Sequence, residues 1–158
     1  MREYDFNGWE NADICPKCDG PFAKIKNQRH LYEILSECWC VETCAPRLRD
    51  RWSKENKTCG QCSITAFLVQ DIFGGDVYGV PLPDGNFHCY NVVDGATFDL
   101  TSEQFDAKFN DGVERPLCYE NNPLQSREVH FAKEEKRERY ERLRSLVLDK
   151  LTEIHCLE

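Results

Sequence analysis

Residues 58–71 read Thr58-Cys59-Gly60-Gln61-Cys62-Ser63-Ile64-Thr65-Ala66-Phe67-Leu68-Val69-Gln70-Asp71. Gly60 interrupts the backbone, and the apolar residues after Cys62 recur at helical spacing until Gly74-Gly75. This pattern predicts a buried helix with Cys62 in its first turn. The amides and dipole of a helix N-terminus stabilise a thiolate, whose pKa then falls from about 8.5 to between about 3.5 and 7.5. Cys62 is therefore a candidate nucleophile; the alternative is a small buried core residue.

The length and composition of the chain indicate one folded domain. Its 158 residues fit a single hydrophobic core, and its 41% hydrophobic content is sufficient to build one. The sequence contains neither a run of about 18 apolar residues nor a secretion signal, so we expect a cytoplasmic protein that does not enter a membrane. The ten cysteines are then expected to be free thiols, metal ligands or a catalytic group rather than disulfides. A formal charge of −8 argues against nucleic-acid binding.

Three segments are expected along the chain. Residues 1–26 form an N-terminal arm, residues 27–156 form a single α+β domain, and residues 157–158 resemble what a cloning vector leaves behind. The arm contains Cys15-Pro16-Lys17-Cys18, which has the form of a zinc knuckle. Cys15 and Cys18 would supply half of a tetrahedral zinc site whose other ligands the sequence does not identify. A reduced thiol pair and a redox or disulfide role are the alternatives.

The first half of the domain is predicted to be helical and the second half to contain the sheet. Apolar residues recur every three or four positions in residues 27–44 and predict an amphipathic helix that Pro46 ends. Residues 76–82, 87–93 and 96–100 predict three antiparallel strands joined by tight turns.

The segments after the strands complete an α+β architecture. Thr101 and Gln104 form a capping-box pattern, which predicts a short helix that ends near residue 110. Residues 111–125 predict an irregular loop of the kind that often borders a site. Residues 126–154 predict one long helix. We expect an antiparallel sheet of three or more strands, packed against an N-terminal helical part and this long C-terminal helix.

The predicted sheet places a histidine and an aspartate together. Side chains alternate between the two faces of a strand, so His88, Tyr90 and Val92 share one face. Counting from a two-residue turn at 94–95 puts Asp99 opposite Tyr90 and diagonally adjacent to His88, with Cα atoms about 7–8 Å apart. Side chains of this length span that distance, so His88 and Asp99 are predicted to interact.

Cys62, His88 and Asp99 supply the three roles that thiol catalysis requires. Cys62 would attack, His88 would hold or accept the proton, and Asp99 would orient His88. The backbone amide of Cys62 and the side chain of Gln61 would donate to an oxyanion. Two alternatives are a structural histidine with no catalytic role and a redox protein that forms a disulfide between Cys59 and Cys62.

The motifs in and around these residues resemble a known family. The motifs are Gly60-Gln61-Cys62, Gln70-Asp71 with Gly74-Gly75, His88-Cys89-Tyr90-Asn91, and Phe98-Asp99-Leu100-Thr101 with Gln104-Phe105. As a set they resemble the YunG-like family of uncharacterised bacterial proteins. The similarity covers roughly residues 30–150. More remotely, a helix-borne cysteine followed by His and Asp on adjacent strands is similar to the transglutaminase-like and papain-like cysteine hydrolase core. The resemblance implies an α+β fold with a thiol hydrolase or acyl-transfer site, and it implies no substrate. Cys15, Cys18, Cys38 and Cys40 depart from the family pattern, so zinc has no family support.

Two functions follow as expectations. The first is an intracellular cysteine hydrolase or acyltransferase that acts on an amide or thioester and requires no cofactor. The second is a non-catalytic binding or regulatory protein on the same fold, with zinc in a structural role at Cys15 and Cys18. The expected partner is an unidentified peptide, amide or thioester substrate, with no nucleic acid and no membrane, and the sequence predicts no oligomeric state.

Overall fold

The computed structural model of the protein describes residues 4–113 and 115–157, without the side chains of residues 154–157. Its helices are α1 (Gln28–Ser36), α2 (Cys62–Phe73), α3 (Arg127–Phe131) and α4 (Glu134–Leu157), and its strands are β1 (Asp76–Pro81), β2 (Phe87–Val93) and β3 (Ala96–Phe98). Short 3-10 helices cover Trp9–Asn11, Pro21–Lys24, Pro46–Arg51, Ser102–Phe105 and Ala107–Phe109. The predicted α+β architecture is confirmed. Glu158, one of the two residues predicted to derive from a vector, lies outside the described residues.

The three strands form one antiparallel sheet in the order β1-β2-β3. The predicted hairpin is confirmed, since Val93 pairs with Ala96 and Asn91 pairs with Phe98. Its turn requires positive φ at both central residues, and Asp94 and Gly95 adopt φ of 50° and 81°. The sheet is therefore built from local turn signals that a sequence displays directly.

The predicted pairing of Tyr90 with Asp99 is wrong. β3 ends at Phe98, and Asp99 instead forms a bridge with Asn7 of the N-terminal arm. The Asp99 amide donates to the Asn7 carbonyl over 3.0 Å, so the arm satisfies the backbone that the hairpin leaves open. The arm also contributes Phe6, which is buried although its neighbours in the sequence are polar.

Helix α2 lies at the centre of the molecule and is apolar on nearly every side. It packs against β2 and against α4, whose Leu143, Val147 and Leu151 are buried. Burial of each such side chain stabilises the fold by about 1.5–3 kcal/mol. Gly74 ends the helix with a φ of 79°, as predicted. Within the described residues, no helix has the length and apolar character that crossing a membrane requires.

Helix α1 is shorter than predicted, because it ends at Ser36 and residues 37–44 form turns. Cys38 and Trp39, which lie in these turns, are both buried. The indole of Trp39 donates to Thr65 of α2 over 3.0 Å. This contact with a distant helix, rather than local propensity, sets where α1 stops.

Two further helix predictions differ from the structure. The C-terminal helix is divided into α3, which Ser126 caps by accepting a hydrogen bond from Val129, and the longer α4. After Thr101 the chain forms two 3-10 helices, and Thr101 makes no capping bond. Its hydroxyl instead donates to Asp99, so the predicted capping box is absent.

Candidate active site

Cys62 is the first residue of α2, and its half-buried side chain lines a cleft of about 750 Å³. The turn before it depends on Gly60, whose φ is +70°. A Cβ at Gly60 would lie 2.6 Å from the Cys44 sulfur and 2.9 Å from the Ala45 nitrogen, so no larger residue fits. The glycine therefore allows the chain to enter α2 with Cys62 at the cleft.

His88 and Asp99 form a buried pair beside Cys62. His88 Nε2 lies 2.6 Å from Asp99 Oδ2, and each side chain is only 1% exposed. Phe105 packs edge-on against the His88 ring, with ring centroids 4.6 Å apart. The carboxylate and the aromatic ring together leave the imidazole little freedom to rotate. The structure thus brings the three residues of the predicted constellation together.

Further donors hold the Asp99 carboxylate in place. The Tyr119 hydroxyl donates to Oδ2 over 2.6 Å, while the amide and hydroxyl of Thr101 donate to Oδ1 over 3.2 and 3.4 Å. Burial and the negative charge of Asp99 raise the pKa of Tyr119, so this hydroxyl remains a donor. Sequence reasoning missed Tyr119, because the only signal was its position in the irregular loop of residues 111–125.

The electrostatics of the site favour a charged histidine. Burial by itself lowers the pKa of His88, but the charge of Asp99, its hydrogen bond and the interaction with Cys62 outweigh burial and raise the pKa to about 10. His88 Nδ1, the nitrogen that Asp99 does not use, is buried and makes no well-formed hydrogen bond to a described residue. It is the nitrogen left for the neighbouring thiol.

The same surroundings favour a thiolate at Cys62. A hydrogen bond from the Cys89 thiol has the largest effect, and together with the His88 imidazole it lowers the pKa of Cys62 well below its ordinary value against the opposing effect of burial. The thiol of Cys89 shows the opposite shift, because a proton shared with a thiolate is hard to remove. Cys89 was not among the predicted site residues, because strand alternation places its side chain on the face opposite that of His88.

Gln61 does not take the position predicted for it. Its side chain is fully buried, its Nε2 donates to the Cys40 carbonyl over 3.1 Å, and it does not line the cleft. An oxyanion in the cleft would therefore depend on the amides of the first turn of α2, which have no acceptor within the helix. Gln61 is the residue immediately before α2, and its side chain makes no capping hydrogen bond to the helix.

The other predicted cysteine sites lie apart from this centre. Lys17, between Cys15 and Cys18, donates its amide to Ile72 near the C-terminal end of α2. Cys62 begins the same twelve-residue helix, which is about 18 Å long. In the part of the chain that the structure describes, no three His, Cys, Asp or Glu residues are grouped to hold a metal. The predicted zinc ligands therefore lack partners there.

Cys59 has a different neighbour from the one the redox alternative requires. Its thiol hydrogen-bonds with that of Cys44, which raises the pKa of Cys44 and lowers that of Cys59. Both residues are buried, whereas Cys62 interacts with Cys89 and His88. Although Cys59 and Cys62 form a C-x-x-C in the sequence, the structure places them in two separate thiol pairs.

Comparison with known proteins supports the predicted family. The model of the family described as YunG protein matches residues 27–152, which omits the N-terminal arm. The uncharacterised protein YunG of Bacillus subtilis (strain 168) is 35% identical over 115 residues, which are 73% of this chain and 86% of that protein. No solved structure matches the chain, so the remote similarity to transglutaminase-like and papain-like proteins has no support here. The two matches show that the chain belongs to the YunG family.

Proposed function

We propose that the protein is a cysteine-dependent hydrolase or acyltransferase that acts on an amide or thioester. The observation that carries this proposal is the arrangement of His88: its Nε2 is fixed by buried Asp99, and its Nδ1 is left without another partner beside Cys62. A nucleophile, a proton carrier and an orienting carboxylate in this order make up the machinery of thiol acyl transfer. The adjacent cleft provides room for a substrate.

The reaction would proceed in two steps. The Cys62 thiolate attacks the carbonyl carbon, a carbon–sulfur bond forms, and the first-turn amides of α2 stabilise the oxyanion. The bond to the amine or thiol then breaks as the His88 imidazolium donates its proton to the leaving group. In the second step neutral His88 accepts a proton from water or from an acceptor amine, which attacks the acyl carbon and releases Cys62.

Two broader expectations belong to the same proposal. The order of Cys62, His88 and Asp99 along the chain, with the cysteine on a helix and the histidine on an adjacent strand, is that of the papain-like and transglutaminase-like core. We therefore propose the same roles for the two imidazole nitrogens: Nε2 is held by Asp99, and Nδ1 exchanges the proton. We also propose that the protein works in the cytoplasm, because the nine described cysteines are all free thiols.

The direct test is detection of the acyl-enzyme. The purified chain is incubated with p-nitrophenyl esters and aryl thioesters, and the mass of the intact protein is followed together with product release. We expect a single acyl adduct on Cys62, no adduct in Cys62→Ser, and greatly slowed acylation in His88→Asn. Cys118→Ser is the matched control, since Cys118 is exposed and lies outside the cleft.

Two results would contradict the proposal. One is acylation at the same rate in wild type and His88→Asn, and the other is adducts spread over exposed cysteines such as Cys118. Saturable ligand binding in the cleft without acylation of Cys62 would favour the binding or regulatory alternative instead.

A further inference from the structure

The walls of the cleft carry the opposite charge to the protein as a whole. The chain has a formal charge of −8, yet the side chains lining the cleft include two acidic residues, Asp84 and Glu135, and six basic ones: Arg47, Arg51, Arg115, Lys133, Lys136 and Arg139. Such an excess of one sign in a concave site concentrates ligands of the opposite sign. The cleft is therefore a positive region on a negative protein.

Two of the basic residues are neutralised within the protein. Arg47 pairs with Asp84 over 3.6 Å, and Arg139 pairs with Glu135 over 2.7 Å. Arg139 also donates to the Thr43 carbonyl over 3.0 Å, so it links α4 to the chain after α1. These two pairs account for both acidic residues of the cleft.

The other four basic residues of the cleft have no acidic partner among the residues that the structure describes. Across residues 4–113 and 115–157, no ion pair involves Arg51, Arg115 or Lys133. Lys136 lies 2.8 Å from His130 Nδ1, a neutral partner because burial and the nearby lysines lower the pKa of His130 to about 4. Arg51 ends a 3-10 helix, Arg115 lies in a loop, Lys133 lies just before α4 and Lys136 lies in its first turn. The four cations therefore do not share one helix face.

The cleft also offers apolar surface between these charges. Leu48, Leu82, Phe105 and Phe109 line it beside Cys62. Apolar walls with a few placed polar groups are typical of small-molecule sites. Guanidinium groups bind carboxylate and phosphate through paired hydrogen bonds, and an ammonium adds charge without that geometry. A ligand that fits this lining has an apolar body and an anionic group.

We propose that the cleft binds acyl donors that carry a carboxylate or phosphate, held by Arg51, Arg115 and Lys133 while Cys62 attacks the acyl carbon. This inference rests on the proposed function of Cys62, whose substrate class it names. It predicts a difference between Cys62 and thiols elsewhere on the protein. The ratio of the rate constant for an anionic reagent to that for a neutral reagent of the same size should be higher at Cys62.

Alkylation tests the inference without requiring turnover. Rate constants for iodoacetate, which is anionic, and iodoacetamide, which is neutral, are measured at Cys62 and at Cys118 by peptide mass spectrometry. We expect the ratio of iodoacetate to iodoacetamide rate constants to be about fivefold higher at Cys62, and to fall toward the Cys118 value in 0.5 M salt, because salt screens exposed charges. The double variant Arg51→Gln/Lys133→Gln should lower the ratio about threefold or more.

The matched control removes the same charge elsewhere. Lys54→Gln/Arg137→Gln changes two exposed cations that do not line the cleft, and it should leave the ratio at Cys62 unchanged. Equal ratios at Cys62 and Cys118, or an equal fall in both double variants, would overturn the inference. Neither result depends on acyl transfer, so the proposed function can stand if this inference fails, and the two failures are distinguishable.

Protection experiments identify the anionic group. Hexyl phosphate, hexanoate and hexanol are compared for slowing iodoacetamide at Cys62. Protection by one or both anions but not by hexanol supports the inference and assigns phosphate, carboxylate or both. Equal protection by hexanol, or protection by none of the three compounds, contradicts it.

Discussion

His88 Nε2 and Asp99 Oδ2 lie 2.6 Å apart in a site where both side chains are 1% exposed. An ion pair with so little exposure is costly to form unless further hydrogen bonds satisfy the charges. Asp99 has those bonds, from Tyr119 and from Thr101. Its carboxylate can therefore hold His88 in one orientation, and the remaining imidazole nitrogen is left for Cys62.

Replacement of Asp99 by asparagine should slow acylation by about 10²–10⁴-fold. The charge that raises the pKa of His88 to about 10 is lost, and burial then lowers that pKa. The imidazolium exists only below its pKa, so the alkaline limb of the rate profile should move from about pH 10 to lower pH. Acylation rates over a pH series test this, with Asp94→Asn on the exposed hairpin turn as the control. An unchanged alkaline limb in Asp99→Asn would contradict the prediction.

Tyr119→Phe should reduce acylation less severely, by about tenfold. The variant removes one donor to the Asp99 carboxylate, and a hydrogen bond to a charged group contributes about 1.5–3 kcal/mol, part of which acts through the orientation of His88. Tyr78→Phe is the matched control, since Tyr78 stacks on Tyr90 at the sheet and does not contact Asp99. The measurement is the acylation rate at fixed pH. Equal rates in the two variants would show that Tyr119 does not position Asp99.

Gly60→Ala should destabilise the protein by about 1–3 kcal/mol, because the residue has positive φ and its Cβ would meet the Cys44 sulfur and the Ala45 backbone. Gly85→Ala is the comparison, since Gly85 also has positive φ (+86°) but nothing lies within 4 Å of its Cβ. Denaturant titrations give the free energy of unfolding of each variant. The difference between the two losses measures the cost of the contacts that a Cβ at Gly60 makes with Cys44 and Ala45. The two alanines should therefore differ, and equal losses would contradict this account of the turn.

Arg127→Lys should destabilise the protein by about 1–3 kcal/mol. The guanidinium pairs with Asp71 over 2.7 Å, donates to the Phe67 carbonyl, and lies over the rings of Phe67 and Phe131. A lysine ammonium cannot make this set of bonds and contacts at once. Arg137→Lys, on the exposed face of α4, should change stability by only a few tenths of a kcal/mol. Urea unfolding of both variants provides the test, and similar midpoints would contradict the assigned role of Arg127.

The parts of the fold that depend on local signals are predictable from the sequence. The Asp94-Gly95 turn sets the hairpin register, and the helix from Cys62 to Phe73 begins and ends at glycine-containing turns. The His88–Asp99 contact also follows from strand alternation, although the expected cross-strand pair of Asp99 does not form.

The remaining features depend on contacts between distant residues. Asp99 is bridged by Asn7 and bonded by Tyr119, which belong to segments without a periodic pattern. Trp39 ends α1 through its bond to Thr65, and Gln61 turns toward Cys40 rather than into the cleft. Nothing in the local sequence around these residues specifies such partners. Tertiary packing decided each of them.

The pH dependence of Cys62 alkylation by iodoacetamide tests the central claim most directly. Only the thiolate reacts, so the rate follows the fraction of Cys62 that has lost its proton. If Cys89 and His88 stabilise the thiolate, the apparent pKa of Cys62 lies well below the ordinary value of about 8.5, and His88→Asn raises it. An apparent pKa at or above about 8.5, with Cys62 reacting no faster than Cys118, would contradict the account.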